Sequence, residues 1–133
     1  MQHLVLVDGH AGVREALARR LRRAYTVTAV DGLAAAGEVL RRLSPAAVIV
    51  DPRTIAAWSD HALALLGRAG RPVIVLTSSL LEGEEGRLHR AGAAVILLKG
   101  CPFAELLARI EAAIDEASPV PRGRRGTGLP PAC

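Results

Sequence analysis

Four residues that could do chemistry together each stand directly after a short apolar run. They are two carboxylates, one hydroxyl and the only lysine of the chain: Asp8, Asp51, Thr77 and Lys99. No member is informative alone, because an aspartate after a strand is usually a turn former or a helix cap. The set is more informative, since two neighbouring carboxylates repel unless an ammonium or a divalent cation neutralises them.

The chemistry open to such a set is phosphoryl transfer to a carboxylate. Oxygen ligands with open positions suit Mg²⁺, which binds through one or two carboxylates and keeps several waters. A carboxylate beside the metal can attack phosphorus and form an acyl phosphate. An ammonium and a hydroxyl can then hold the transferred phosphoryl oxygens. This chemistry requires elements that bring the four residues to one place.

Short apolar runs alternate with helical patterns along the chain. Five runs predict strands: His3–Val7, Tyr25–Ala29, Ala47–Val50, Val73–Leu76 and Ala94–Leu98. Apolar residues at helical spacing and turn signals predict five helices, over 13–24, 33–43, 60–66, 82–91 and 103–114.

This alternation predicts an α/β fold with a five-stranded parallel sheet in the order 2-1-3-4-5. Right-handed crossovers place helices on both faces, which gives the flavodoxin-like, doubly wound, three-layer architecture. Ligands in such sheets bind at the carboxyl ends of the strands, near the point where the strand order reverses. The four residues are therefore expected on one rim.

Composition and charge point to one domain and a separate tail. Half of the residues are hydrophobic, so residues 1–116 can form a full core. Pro, Gly and Arg dominate residues 117–133, and disorder is expected there. Three arginines of this tail account for most of the formal net charge of +4, so no nucleic acid is expected to bind this chain.

The sequence predicts a cytoplasmic protein that does not cross a membrane. The two cysteines, Cys101 and Cys133, make no disulfide framework, and no signal peptide is evident. The longest apolar runs, such as 93–98, are far too short to span a bilayer.

The runs that carry these residues resemble a known family. They are Leu4–His10, Ala47–Asp51, Val73–Ser78 and Leu97–Gly100. Over residues 2–116 the chain resembles the receiver domains of two-component response regulators. Residues 90–93, 97–99 and 105–107, together with His10, Val13 and Arg14, resemble the receiver subfamily usually joined to a LuxR-type DNA-binding domain.

The resemblance implies a signalling switch rather than an enzyme, apart from transfer to and hydrolysis from its own aspartate. Asp51 would accept a phosphoryl group from the phosphohistidine of a sensor histidine kinase. Mg²⁺ would be held by Asp8, Asp51 and the backbone carbonyl of Arg53. Thr77 would hydrogen-bond the phosphoryl group, and Lys99 would pair with it.

Four positions depart from the family pattern. Gly9 stands where relatives usually have a second acid that binds the metal directly, so weak Mg²⁺ binding is predicted. Ile96 stands where a usually aromatic residue moves together with Thr77, so the switch pair lacks its ring. Pro52 directly follows the acceptor, and Ile55 replaces the usual proline, so the loop after Asp51 is expected to differ.

The tail after residue 116 is too short for a helix-turn-helix, so the protein is expected to act through an unknown partner, through self-association, or as a phosphate relay or sink. In the family the face formed by helix 4, strand 5 and helix 5 commonly pairs, which makes a homodimer through that face an expectation.

Two alternatives remain open at the level of sequence. Gly9 and Ile96 also suit a degenerate receiver that binds a partner without phosphorylation. A cobalamin-binding domain would use Asp-x-His-x-x-Gly, which Asp8-Gly9-His10-Ala11-Gly12 approaches with its glycine one position early. The later Gly-Gly of that family is absent, and Lys99 would have no purpose in it.

Overall fold

The computed structural model describes residues 1–118 of the 133-residue chain. The predicted tail lies outside the described residues from position 119 onward. The strands are β1 (His3–Val7), β2 (Thr26–Val30), β3 (Ala47–Val50), β4 (Val73–Thr77) and β5 (Val95–Leu98). The helices are α1 (Ala11–Leu21), α2 (Leu33–Arg42), α3 (Asp60–Leu66), α4 (Glu84–Ala91) and α5 (Phe103–Ala117), with 3₁₀ turns at Pro52–Thr54 and Arg68–Gly70.

The strands form one five-stranded sheet in the order β2-β1-β3-β4-β5, and every neighbouring pair is parallel. The predicted fold class and strand order are confirmed. All four residues of β3 and all five of β4 are buried, because helices cover both faces of a doubly wound sheet.

The core has two halves, one on each face of the sheet. Alternate residues of a strand point to opposite faces, so Leu4 and Leu6 pack with Leu21 of α1 and Ile110 of α5. Their neighbours Val5 and Val7 instead join the half of the core that contains buried residues of α2, α3 and α4: Ala36, Leu63, Leu66 and Leu88. This packing gives the three layers that the sequence predicts.

The register of the sheet brings the ends of four strands to one rim. Val7 of β1 pairs with Val50 of β3, so the two residues that follow these strands leave the sheet side by side. Thr77 of β4 pairs with Leu98 of β5, and the next amide, that of Lys99, donates to the carbonyl of Thr77 at 2.7 Å.

Helix ends follow local signals in two places. Ser59 caps α3, with its hydroxyl accepting from the amide of Ala62 at 3.4 Å. Helix α4 begins at Glu84, two residues later than predicted, because Gly83 has a φ of 80° and cannot be part of a right-handed helix. Within residues 1–118, no helix combines the length and the hydropathy needed to cross a membrane.

Candidate functional site

The structure brings Asp8, Asp51 and Lys99 into direct contact. The Lys99 ammonium lies 2.7 Å from Oδ2 of Asp8 and 2.6 Å from Oδ2 of Asp51. The two aspartates are only 1% and 2% exposed, whereas the Lys99 side chain keeps 19% of its surface accessible. One ammonium thus bridges two buried carboxylates at the carboxyl edge of the sheet.

The two acids hold the charge of Lys99 in place. Burial alone would lower the pKa of Lys99, but hydrogen bonds and the negative charges of Asp51 and Asp8 outweigh it and raise this pKa above its ordinary value. The ammonium therefore stays protonated throughout the neutral range. Two carboxylates and one ammonium sum to a single negative charge, which favours the approach of a further cation.

Asp51 stands between β3 and the 3₁₀ turn that follows it. Its Oδ1 accepts from the backbone amide of Arg53 at 3.0 Å, so Asp51 caps that turn. Pro52 at the first position of the turn suits this arrangement, because it has no amide that would need a partner. Oδ2 is fully buried, and its ionic partner among the described residues is the ammonium of Lys99.

Asp8 is anchored from two sides. Its Oδ1 accepts from the amide of His10 at 2.8 Å and from the hydroxyl of Thr54 at 3.1 Å, and its backbone carbonyl accepts from Arg14 at 2.9 Å. His10 itself caps α1, with Nδ1 accepting from the amide of Val13 at 3.2 Å. This imidazole, which the cobalamin alternative requires as a metal ligand, thus serves the start of a helix.

The space that a side chain at position 9 would need is occupied by the loop after Asp51. A Cβ built on Gly9 would lie 1.9 Å from the backbone carbonyl oxygen of Thr54, a distance that no real Cβ shows. The Gly9 amide donates to the Thr54 hydroxyl at 2.8 Å. The loop after Asp51 therefore occupies the space that the side chain of a second acid at position 9 would need.

Thr77 lies at this rim, but its hydroxyl faces another group. The residue is 2% exposed, and its hydroxyl makes a long hydrogen bond of 3.4 Å to the backbone carbonyl of Ser79. Among the described residues, the Thr77 hydroxyl makes no hydrogen bond to Asp51 or to Lys99. Of the four predicted residues, three meet directly, and the fourth adjoins them through the carbonyl that accepts from the Lys99 amide.

The side chain of Arg53 is a part of the site that the sequence does not reveal. Its Nε donates to the carbonyl of Ser79 at 2.8 Å, and its Nη2 donates to Oε1 of Glu84 at 2.6 Å. From the sequence, only the backbone carbonyl of Arg53 is expected in this site. The one signal in the sequence for this side chain is a cationic residue two positions after the candidate phosphoacceptor.

Ile96 is a core residue of β5. It is 8% exposed and belongs to the half of the core that faces α2, α3 and α4. It pairs with Val75 in the sheet register. This aliphatic side chain has no polar group and no ring that could move together with Thr77.

The donor set fits Mg²⁺ by type and is small in number. Carboxylate and carbonyl oxygens are the ligands that this ion prefers, and the carboxylates of Asp8 and Asp51 both contact the Lys99 ammonium. In residues 1–118, however, no group of three or more His, Cys, Asp or Glu side chains could hold a metal. The site therefore suits a Mg²⁺ ion that keeps most of its coordinated waters.

Comparisons with solved structures bear on this geometry. The receiver domain of RstA from Klebsiella pneumoniae, in its BeF3-activated form, is 25% identical with a TM-score of 0.77, over 84% of this chain and 97% of that one. The receiver domain of the sensor histidine kinase PA1611 from Pseudomonas aeruginosa, with a magnesium ion in its active-site cleft, is 25% identical with a TM-score of 0.73, over 86% and 98%.

Full-length FixJ from B. japonicum is 26% identical with a TM-score of 0.78, over 89% of this chain and 60% of FixJ. No protein-family model matches the sequence, and no curated protein matches it. The similar structures do not single out the LuxR-associated subfamily. The chain has the α/β fold of response-regulator receiver domains, and the receiver domains of RstA and of the sensor histidine kinase PA1611 are among the solved structures that resemble it.

Proposed function

We propose that this chain is a phosphorelay receiver whose Asp51 accepts a phosphoryl group from the phosphohistidine of a sensor histidine kinase. The observation that carries the proposal is the Lys99 ammonium, which lies within 2.7 Å of both Asp8 and Asp51. An ammonium fixed between two carboxylates supplies the positive charge that a transferred phosphoryl group needs.

The reaction is a transfer between two nucleophiles. A carboxylate oxygen of Asp51 attacks phosphorus, the P–N bond to the donor imidazole breaks, and a P–O bond forms, giving a mixed anhydride. The imidazole leaves as the neutral base once it takes up a proton, and nothing is oxidised or reduced. Lys99 pairs with the new phosphoryl oxygens, and the hydroxyl of Thr77 turns from Ser79 to donate to them.

Mg²⁺, held weakly by Asp8, Asp51 and the backbone carbonyl of Arg53, would neutralise charge on the phosphoryl oxygens. Asp8 keeps its orientation without the metal, because the amide of His10 and the hydroxyl of Thr54 both donate to it. The closed space at Gly9 supports weak binding, since no third carboxylate can enter.

The partners follow from this role. We assign the chain to the cytoplasm, with a sensor histidine kinase upstream and an output partner of unknown identity downstream. A homodimer through α4, β5 and α5, and kinship with the LuxR-associated receivers, belong to the same proposal. The chain itself binds no nucleic acid in this account, and its chemistry is limited to its own aspartate.

The degenerate-receiver alternative is not favoured by this geometry. A module without phosphoryl chemistry has no need of two buried carboxylates around one ammonium, because such groups are costly to desolvate. The cobalamin alternative gives no purpose to the Lys99 ammonium that lies between the two buried acids.

Incubation with acetyl phosphate and Mg²⁺, followed by intact mass measurement, tests the proposal. We expect the wild type to gain the mass of one phosphoryl group, hydroxylamine to remove it, and Asp51→Asn to gain nothing. A gain that persists in Asp51→Asn, or that resists both acid and hydroxylamine, would contradict an acyl phosphate on this residue.

A further inference from the structure

The side chain of Arg53 ties the loop after Asp51 to the start of α4. Its guanidinium donates to the carbonyl of Ser79 at 2.8 Å and to Glu84 at 2.6 Å. The pair is partly shielded, with 31% of the Arg53 side chain and 15% of the Glu84 side chain accessible. We call the link Arg53–Ser79–Glu84 the arginine strap.

Glu84 is the first residue of α4 and organises the start of that helix. The same Oε1 that pairs with Arg53 accepts from the amide of Leu81 at 2.8 Å. Its Oε2 lies 3.6 Å from Arg87, which in turn pairs with Asp60 of α3. A change in the partner of Glu84 would therefore reach the β4–α4 loop, α4 and α3.

The other end of the strap lies at the candidate phosphoacceptor. The Arg53 amide donates to Oδ1 of Asp51 at 3.0 Å. The Ser79 carbonyl that accepts from Arg53 also accepts from the hydroxyl of Thr77. Two donors thus share the carbonyl oxygen of Ser79. One is the guanidinium of Arg53, and the other is the hydroxyl of Thr77, which is proposed to bind the phosphoryl group.

We propose that the guanidinium of Arg53 is a phosphoryl-binding group, and that its transfer from Glu84 to a phosphoryl group on Asp51 releases the start of α4. This inference rests on the function proposed above. A phosphoryl group adds about −1.5 to −2 charges, and the planar fork of arginine binds phosphate oxygens in pairs. The carboxylate of Glu84 offers a single negative charge against it.

The arginine strap connects Asp51 to the start of α4, whereas Ile96 provides no such connection. Ile96 is buried and aliphatic, so no ring can rotate with Thr77. Arg53 instead connects the acceptor to α4 through contacts that are already formed. The output would then be a loosened β4–α4 loop and first turn of α4, a surface whose pairing changes with the charge on Asp51.

Hydrogen exchange of the amides in residues 81–88 tests this route, with beryllofluoride and Mg²⁺ as the phosphoryl mimic. In the wild type we expect the mimic to raise exchange in this segment by about two- to fivefold, the effect of losing one partly exposed ion pair. Glu84→Gln should show the faster exchange before the mimic is added, and little further change afterwards.

Glu38→Gln is the matched control, because Glu38 forms an ion pair with Arg41 at 2.6 Å on the exposed face of α2. This variant should respond to the mimic as the wild type does. If mimic binding, followed by fluorine NMR, leaves exchange in 81–88 unchanged in the wild type, the strap has no role in signalling. An equal response of Glu84→Gln and the wild type would overturn the proposal in the same way.

Arg53→Ala and Arg53→Lys test the phosphoryl contact itself. Loss of a hydrogen-bonded charge should weaken binding of beryllofluoride by roughly tenfold in Arg53→Ala, and Arg53→Lys should retain part of it. Equal affinity of Arg53→Ala and the wild type would exclude the contact. If the wild type shows no bound beryllofluoride in the fluorine spectrum, the phosphoacceptor function itself fails, and the strap fails with it.

Discussion

The residue at position 9 lies against the backbone of the loop that follows Asp51. Thr54 provides both the carbonyl that excludes a Cβ and the hydroxyl that accepts from the Gly9 amide and donates to Asp8. The glycine and the loop therefore depend on each other. The sequence shows only the missing acid, because the path of the loop is not encoded in any local pattern.

A methyl group at position 9 should destabilise the protein, whereas one at position 12 should not. We expect Gly9→Ala to lower the free energy of unfolding by about 1–3 kcal/mol, since the loop must move. Gly12→Ala is the control, because its Cβ would meet only the His10 ring at 3.5 Å and alanine favours the helix. Urea denaturation measures both.

Gly9→Asp extends this comparison to the metal. It should lose at least the stability that Gly9→Ala loses and gain no affinity for Mg²⁺, read from the fluorescence of Trp58, the chain's only tryptophan. Tighter Mg²⁺ binding without loss of stability would show that the loop does not close this space.

Lys99 should make the stability of the protein depend on alkaline pH. Its pKa is raised on folding because the pull of Asp51 and Asp8 exceeds the opposing effect of burial. The stability that it contributes is therefore fully present below the pKa of the unfolded chain, about 10.4, and is lost as pH rises through the higher folded value.

Lys99→Met isolates this contribution. At neutral pH we expect it to lower the free energy of unfolding by about 3 kcal/mol, because two buried carboxylates lose their partner. The difference between wild type and variant should shrink above the unfolded pKa, and subtraction removes the titration of other groups such as Tyr25. A difference that stays constant across this range would contradict the ion pairing.

Strand ends alone predict the meeting of Asp8, Asp51 and Lys99. The reason is that parallel strands of a doubly wound sheet all end at one edge, so the residue after each strand is placed by topology. Thr54 and the side chain of Arg53 are different, because both belong to an irregular loop. Their contacts depend on tertiary neighbours with which no spacing rule connects them.

At the scale of elements, apolar runs predict the strands to within one residue at each end. His3–Val7 and Ala47–Val50 have the predicted bounds, whereas β2 begins at Thr26 instead of Tyr25, whose amide donates to Leu21 at the end of α1. Helices α2, α3 and α5 begin at the predicted residue, whereas α1 begins two residues earlier and α4 two residues later. The later start of α4 follows from the backbone angle of Gly83, and it places Glu84 where Arg53 can reach it.

The position before α4 should require glycine for stability. Its φ of 80° is left-handed, so Gly83→Ala should lower the free energy of unfolding by about 1 kcal/mol although no atom lies within 4 Å of its Cβ. Gly86→Ala, inside the same helix, should be neutral or stabilising. Thermal unfolding of both variants checks this, and equal effects would contradict the conformational explanation.

At the scale of the whole molecule, a rigid sheet carries a charged rim. The two halves of the core fix the strands, the strands fix two acids and one lysine, and the loops after β3 and β4 complete the site. The arginine strap then links this rim to α4, one edge of the face through which we propose that the chain pairs. Sequence pattern predicts the sheet and the acids, while the paths of the loops after β3 and β4 emerge only in three dimensions.

The most direct test of the central claim is to locate the phosphorylated residue. After treatment with acetyl phosphate and Mg²⁺, borohydride reduction converts an aspartyl phosphate to homoserine, which peptide mass spectrometry can place in the chain. We predict homoserine at position 51 in the wild type and at no position in Asp51→Asn. Homoserine at another aspartate, or none in a wild-type sample that has gained phosphoryl mass, would contradict the account.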